Sequence, residues 1–398
     1  MSVDTAERAA VRPTRLPAPE ALRTLRRALP ALGLFAIARL TGVLTVALCS
    51  WYVGKNPLAR LGDTWDSRWY TGIAAHGYGH RTLTFPDGAT QSDLAFFPLY
   101  PALIEAVTTV VPLSGGAAGL LIAWTAAAAA AYGIYLIADH LHGRRTAGAL
   151  VVLWGLLPHS VVLTMAYTEP VLTAFAAWSL YAVIRDRWLW AGTLATLAGL
   201  ARPNGIAVAA AVGAAAAYAL WTHRKHRARV PWRIWAGAAV APLGWAGFVL
   251  WVGAREGDLL GGYFAVQDGW GSRFDFGAGA LRFAKRLLLT PEVLPFPMVL
   301  VIVAAALVLF ALLLLDDRVR PPLPLLVYTT VLVLITVGGS GFFESKARFL
   351  LPAFPLLLPL AHAMTKARPR AAIVVTAALA GLSLSYGTYL VTIAPVPL

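Results

Sequence analysis

Long apolar runs separated by short polar connections set the pattern of this chain. A helix that crosses a bilayer needs about 20 mostly apolar residues, because hydrocarbon satisfies no free backbone group. On that measure residues 31–53 form a first span, and 232–252, 293–315, 323–337, 349–364 and 371–393 form five more. Between residues 96 and 221 lie six further apolar segments, several short or interrupted by Pro and Gly: 97–111, 117–138, 147–165, 171–184, 188–200 and 205–221. The first of these contains Pro98, Pro101 and Glu105 and is expected to fall short of a full crossing. The pattern predicts an all-α polytopic membrane bundle of about 10–11 transmembrane helices. It divides into a basic arm (1–28), a transmembrane module (29–253) that includes a first large loop (54–95), a second large loop (254–290) and C-terminal helices (291–398). Both large loops are expected to carry interfacial helices.

Composition agrees and adds an orientation. Of 398 residues, 59% are hydrophobic and only 13% charged, against about 25% charged in soluble domains. The mean hydropathy is +0.68. A net charge of +14 would suggest nucleic acid in a soluble protein, a reading the apolar runs exclude. One set of connections (up to residue 27, then 144–145, 185–187, 224–233, 318–320 and 366–370), with the acids beside them, holds 20 basic and 7 acidic residues. The other set (55–93, 255–290 and 338–348) holds 11 basic and 9 acidic. By the positive-inside rule the first set, with the N-terminus, is expected in the cytoplasm and the second outside. The first apolar run is too long for a cleavable signal peptide and lacks a small-residue cleavage site. Residues 1–28, with Pro13, Pro17 and Pro19, read as a disordered basic arm drawn to lipid. The single Cys49 excludes an intramolecular disulfide. Arg in excess of Lys and abundant Ala hint at a GC-rich bacterial genome, so the bacterial cell membrane is the expected site; in a eukaryote it is the endoplasmic reticulum membrane.

Candidate chemistry concentrates in the first large loop. Its run Asp63-Thr64-Trp65-Asp66-Ser67-Arg68-Trp69-Tyr70 mixes acids with aromatics, and Ile73-Ala74-Ala75-His76-Gly77-Tyr78-Gly79-His80 follows. Trp65, Trp69 and Ile73 recur at helical spacing, as in an amphipathic helix lying in the membrane interface. The aromatics alone read equally well as belt anchors. Asp66 does not: a carboxylate between two tryptophans at a membrane surface has the restricted, partly desolvated setting of a general base. Asp63, three residues earlier and on the same expected helical face, competes for that role, whereas Asp87 and Asp93 read as ordinary loop acids. Glu169 and Arg202 lie at junctions of apolar segments, where an unpaired charge is costly and functional by default. They are expected to pair with each other or to hold substrate. Lys346 and Arg348 open a later span from the outer side, within reach of a phosphate or as simple anchors. Arg39, inside the first span, snorkels or pairs with Glu105 or Glu169, and His159 beside Pro158 reads as a hydrogen-bonded helix residue. In the second loop Tyr263, Phe264, Gln267, Asp268, Trp270, Arg273, Phe274, Asp275 and Phe276 interleave polar and aromatic groups, as a carbohydrate lid or a structural surface loop would. No metal-ligand spacing and no Gly-rich nucleotide loop occurs, so no cofactor is expected and a lipid-linked donor is favoured over a nucleotide sugar.

These residues also carry a resemblance. Trp65-Asp66-Ser67-x-x-Tyr70 with Ile73-Ala74-x-x-Gly77-Tyr78, then Ala95-Phe96-Phe97-Pro98-Leu99-Tyr100-Pro101, is similar to the PIG-V-like family: GPI mannosyltransferase II and its bacterial relatives, within the GT-C class of membrane glycosyltransferases. Tyr167-Thr168-Glu169 and Arg202-Pro203-Asn204-Gly205 resemble shorter family motifs, although Pro203 stands where that family form has Ser. The likeness covers roughly the first 220 residues, with Arg348-Phe349-Leu350-Leu351-Pro352 as a faint echo beyond. It implies a GT-C-like bundle and inverting transfer of a mannosyl or similar residue from a polyprenyl-phosphate sugar. The acceptor would be a hydroxyl of a glycolipid, glycan or protein on the extracytoplasmic face. Asp66 would be the base, and Asp63, Arg68, Tyr70, His80, Tyr100, Tyr167, Glu169, Arg202, Asn204, Lys346 and Arg348 the substrate-binding set. A phosphate leaving group needs no general acid, so one carboxylate suffices where a glycosidase needs two. The alternative is a multi-pass transporter or lipid flippase, which has the same composition but commonly shows internal repeats and midplane charges.

Overall fold

A computed structural model describes residues 20–86 and 89–396. Residues 1–19 of the expected arm, and Asp87, lie outside the described residues. The rest of that arm is not irregular: α1 (Glu20–Tyr52) begins within it and runs for 33 residues. Short helices α2 (Pro57–Gly62) and α3 (Asp66–His76) follow in the first large loop, with a two-stranded antiparallel hairpin of β1 (Thr82–Thr84) and β2 (Thr90–Ser92). Then come α4 (Leu99–Val110), α5 (Gly115–His142), α6 (Arg144–Gly155), α7 (Glu169–Ile184), α8 (Trp188–Ala201) and α9 (Ile206–Lys225). Helices α10 (Trp232–Val240) and α11 (Leu243–Arg255) form one long apolar unit. The second large loop holds α12 (Gly262–Gly269) and α13 (Ala278–Leu289). The chain ends with α14 (Pro295–Leu315), α15 (Leu323–Gly338), the short α16 (Lys346–Phe349), α17 (Leu358–Lys366) and α18 (Pro369–Thr392).

Six helical units are long and apolar enough to cross a bilayer, one bent pair passes the same test, and four shorter helices are apolar, eleven segments in all among the described residues. The protein is an all-α, multi-pass membrane protein. Helix α4 has 12 residues, roughly 18 Å, which is short of a hydrocarbon core as its prolines and Glu105 foretold. The expected span 147–165 is corrected. Helix α6 stops at Gly155, and a buried irregular stretch with a 3₁₀ turn (Ser160–Thr164) follows. Gly155 packs under Phe35, whose ring stacks on Trp154 at 5.4 Å, and Pro158 removes a backbone donor. Such backbone is tolerated at depth only inside protein. The expected span 349–364 is likewise broken, into Phe343–Phe349 and Phe354–Lys366 at 76°.

Helix α7 is the inner pillar. All but a few of its 16 residues are buried, against α5, α8 and α9. Small residues allow this: Gly133 of α5 lies against Ala177 and Trp178 of α7, and in lipid such close packing is what holds helices together. At one end Gly62 meets Gly116 so closely that a Cβ on Gly62 would sit 3.0 Å from the Gly116 carbonyl oxygen. That contact pins α2 to α5 and fixes where α3 begins.

Candidate active site

Asp66 is the first residue of α3, and the turn before it is locked. Ser67 Oγ accepts from the Thr64 N–H at 2.7 Å and donates to the Thr64 carbonyl at 2.5 Å, while Trp65 adopts φ +49°. Glu169 is the first residue of α7 and is followed by Pro170. Both carboxylates therefore stand at helix N-termini, where the macrodipole favours negative charge. The two cations stand at helix ends of the other sign. Arg202 is the extended residue that terminates α8 ahead of the Pro203–Gly205 turn, and Arg348 lies in the last turn of α16.

These four charges meet. Arg348 Nη1 donates to Asp66 Oδ2 at 2.5 Å and lies 3.8 Å from Glu169 Oε1. Glu169 Oε1 is also ion-paired with Arg202. Arg202 donates to Thr168 Oγ1 at 3.3 Å, and that hydroxyl lies 3.2 Å from the Tyr70 hydroxyl. The guanidiniums of Arg202 and Arg348 sit 5.4 and 5.3 Å from the centre of the Phe349 ring, and Arg348 also lies 5.1 Å from the Tyr167 ring. The chain Asp66–Arg348–Glu169–Arg202 alternates in sign and sums to zero formal charge, which is how four charges are tolerated in an apolar bundle. Exposure separates the two acids: the Glu169 side chain is 1% exposed and that of Asp66 19%. Asp66 is the carboxylate within reach of an incoming molecule.

An aromatic wall stands next to the cluster. Trp69 stacks on Phe96 at 5.4 Å, Tyr70 meets Phe96 edge-on at 5.1 Å, and Trp270 of the second loop packs edge-on against Trp69 at 5.0 Å. Trp270 is tied by its indole N–H to the Ser92 carbonyl at 3.0 Å, so the second loop is docked on the first. Burial pushes the Tyr78 hydroxyl up from its ordinary pKa, leaving it a donor to the Phe96 carbonyl at 2.7 Å. Helix α3 packs inward: Trp69 and Ile73 are buried, so these two side chains are not exposed belt anchors.

The expected site residues sort accordingly. Asp66, Tyr70, Tyr167, Glu169, Arg202 and Arg348 converge. Tyr100 supports them, stacking edge-on against Tyr70 at 5.1 Å while its hydroxyl donates to the Gly119 carbonyl. Asn204 is buried in the turn after Arg202 and forms no side-chain hydrogen bond among the described residues. Asp63 is not on the helical face of Asp66: it caps α2, is exposed, and lies 3.7 Å from the equally exposed Arg68. His80 is exposed beyond α3, and its backbone N–H binds Asp93. Asp93 is a buried structural acid that gathers the N–H groups of Gly79, His80 and Arg81. Lys346 is buried with Nζ donating to the Thr336 and Gly339 carbonyls, both at 2.6 Å, so it clamps the break after α15. Arg39 pairs with neither Glu105 nor Glu169; it donates to Ser383 at 3.2 Å. In the second loop Asp268 pairs with Arg273 at 2.8 Å and Asp275 caps α13 through the Gly277 and Gly279 N–H groups. Thr168 and Phe349 were missed, although each adjoins a charged residue already singled out. Among the described residues no three His, Cys, Asp or Glu side chains form a metal-binding group.

No protein-family model and no curated protein sequence matches this chain. Solved structures do. The oligosaccharyltransferase of Archaeoglobus fulgidus in its apo form superposes with a TM-score of 0.52 at 14% identity, over 92% of this chain and 55% of that one. ArnT from Cupriavidus metallidurans, bound to undecaprenyl phosphate, superposes with a TM-score of 0.56 at 16% identity, over 92% of this chain and 66% of that one. The chain has the GT-C fold. It spans roughly half to two thirds of the length of those two proteins. In this GT-C bundle the four charges sit where the first loop, the head of α7, the break after α8 and the short α16 converge.

Proposed function

We propose that this protein is a membrane glycosyltransferase that moves a sugar, mannose or one like it, from a polyprenyl-phosphate donor to an acceptor hydroxyl. The observation that carries the reading is a partly exposed carboxylate, Asp66, paired with Arg348, whose guanidinium is linked to that of Arg202 through a buried Glu169. In the proposed reaction the donor phosphate lies against Arg348 and Arg202, which draws Arg348 away from Asp66. The freed carboxylate takes the proton of the acceptor hydroxyl. The hydroxyl oxygen attacks the anomeric carbon from the face opposite the phosphate, and the bond from that carbon to the phosphate oxygen breaks. Asp66 becomes neutral as the phosphate gains a negative charge, so the total charge in the site is unchanged. The two guanidiniums, once on the phosphate, stabilise that developing charge.

An apolar cavity of about 280 Å³ supports a lipid donor, because it is lined by His159, Ala347, Leu350 and Leu351 next to Arg348 and by side chains of α14 and α18. The ArnT structure is one bound to undecaprenyl phosphate. The face of the membrane follows from loop charge: the first large loop belongs to the near-neutral set and so faces out, with the N-terminus in the cytoplasm. Membranes with and without the protein, supplied with labelled polyprenyl-phosphate mannose, test the reading. Label is expected in an acceptor only when the protein is present. A purified protein that moves labelled lipid between leaflets and transfers no sugar would be a transporter instead.

A further inference from the structure

Helix α5 begins at Gly115, beside Thr71 of α3, and ends at His142 after 28 residues, about 42 Å away. At that far end a cleft of about 680 Å³ opens between α1, α5, α6, α17 and α18. Arg27, Arg144 and Arg145 line it, together with apolar groups such as Leu34 and Val152 and the Thr365 side chain. Among the described residues none of the three arginines forms an ion pair, and Asp139, the acid at this end of α5, forms none with them. All three are exposed, and Leu34 is 55% exposed on the outer side of α1 with Leu29 and Ile37.

We propose that this cleft binds an anionic phospholipid, its phosphate against Arg27, Arg144 and Arg145 and its acyl chains along the apolar wall beside Leu34 and Val152. Basic residues at span ends elsewhere, such as Arg224, Arg227 and Arg229, carry the same charge, but they line none of the clefts described here. Here unpaired cations and apolar walls converge on one space between helices, a combination that matches both halves of an amphipathic lipid. Basic clefts between transmembrane helices bind phospholipid head groups for this reason. The three arginines lie towards the end of α5 opposite the loop that carries Asp66, while the apolar wall shares Leu153 with the cavity beside Arg348.

The test uses the whole chain, purified and delipidated in neutral detergent. Native mass spectrometry follows its titration with dioleoyl phosphatidylglycerol and, separately, dioleoyl phosphatidylcholine. One phosphatidylglycerol is expected to bind at a concentration about tenfold or more below that for phosphatidylcholine. A variant carrying Arg27→Gln, Arg144→Gln and Arg145→Gln is expected to lose that preference. A control carrying Arg224→Gln, Arg227→Gln and Arg229→Gln, which removes the same charge, is expected to keep it. Equal loss in the two variants, or equal binding of both lipids by the natural protein, would overturn the proposal. Phosphatidylglycerol is also expected to raise the unfolding temperature. An equal rise with inorganic phosphate at the same concentration would assign the cleft to a free anion and overturn the lipid assignment.

Discussion

Arg348 donates to Asp66 at 2.5 Å, joining two residues 282 positions apart in the chain. The same guanidinium lies 3.8 Å from Glu169, so it serves both carboxylates. Removing one partner of a buried pair typically costs about 3–5 kcal/mol, because the other charge is left without compensation. Arg348→Ala is therefore expected to lower stability by about 3 kcal/mol and to abolish transfer. Arg348→Lys keeps the charge but loses the planar fork that spans two acids. It is expected to retain most of the stability with donor binding at least about tenfold weaker. Thermal unfolding in detergent and a donor titration separate the two effects.

Glu169 and Arg202 form a buried pair, with side chains 1% and 9% exposed. Glu169→Gln alone leaves two guanidiniums beside Phe349 with Asp66, which pairs with Arg348, as the one remaining acid of the cluster, and a loss of about 3 kcal/mol in stability is expected. Combining it with Arg202→Met removes the excess charge. The double variant is expected to be more stable than Glu169→Gln alone while remaining inactive, because the phosphate has lost one of its two cations. Unfolding of both singles and the double gives the coupling directly.

Gly205 follows Arg202 in a turn with no room for a side chain, since an added Cβ would overlap the Ala198 carbonyl oxygen. Gly205→Ala should push the turn away from α8 and carry Arg202 off Glu169. A fall in donor affinity together with a lower unfolding temperature is expected. An unchanged donor affinity would mean that Arg202 does not hold the phosphate.

Tyr70 and Arg202 share the Thr168 hydroxyl. Thr168→Val keeps the shape and removes that bridge. About 1–3 kcal/mol of stability is expected to be lost, since buried donors are left unmet. Transfer should fall less than in Arg348→Ala, because both guanidiniums keep their acids.

Much of this site was legible in the sequence. Asp66 stands out as an acid between two tryptophans, and Glu169 and Arg202 as charges next to apolar segments that demand a partner; their pairing with each other was one of the outcomes that demand left open, beside holding substrate or, for Glu169, pairing with Arg39. The choice of Arg348 as partner for Asp66 was not legible. It depends on a span that breaks at 76°, and Pro352 and Pro355 mark a break without giving its direction. Asp63 was placed on the face of Asp66 because the reading assumed an unbroken helix. The backbone of Trp65, at φ +49°, ends that continuity, and no residue type signals it. The span expected at 147–165 failed for a tertiary reason, the seating of Gly155 under Phe35 from a distant helix. Apolar length located the other long spans, but it does not distinguish a crossing from a buried stretch that turns back.

The most direct test is single-turnover transfer from labelled polyprenyl-phosphate mannose by the purified natural protein and by Asp66→Asn, with donor binding measured on both. Asparagine keeps the size and the acceptor oxygen facing Arg348 but does not take the proton. A fall of about 10²–10⁴-fold in the transfer rate, with donor binding retained, is the expected result. Undiminished transfer by Asp66→Asn would contradict the assignment of Asp66 as the base.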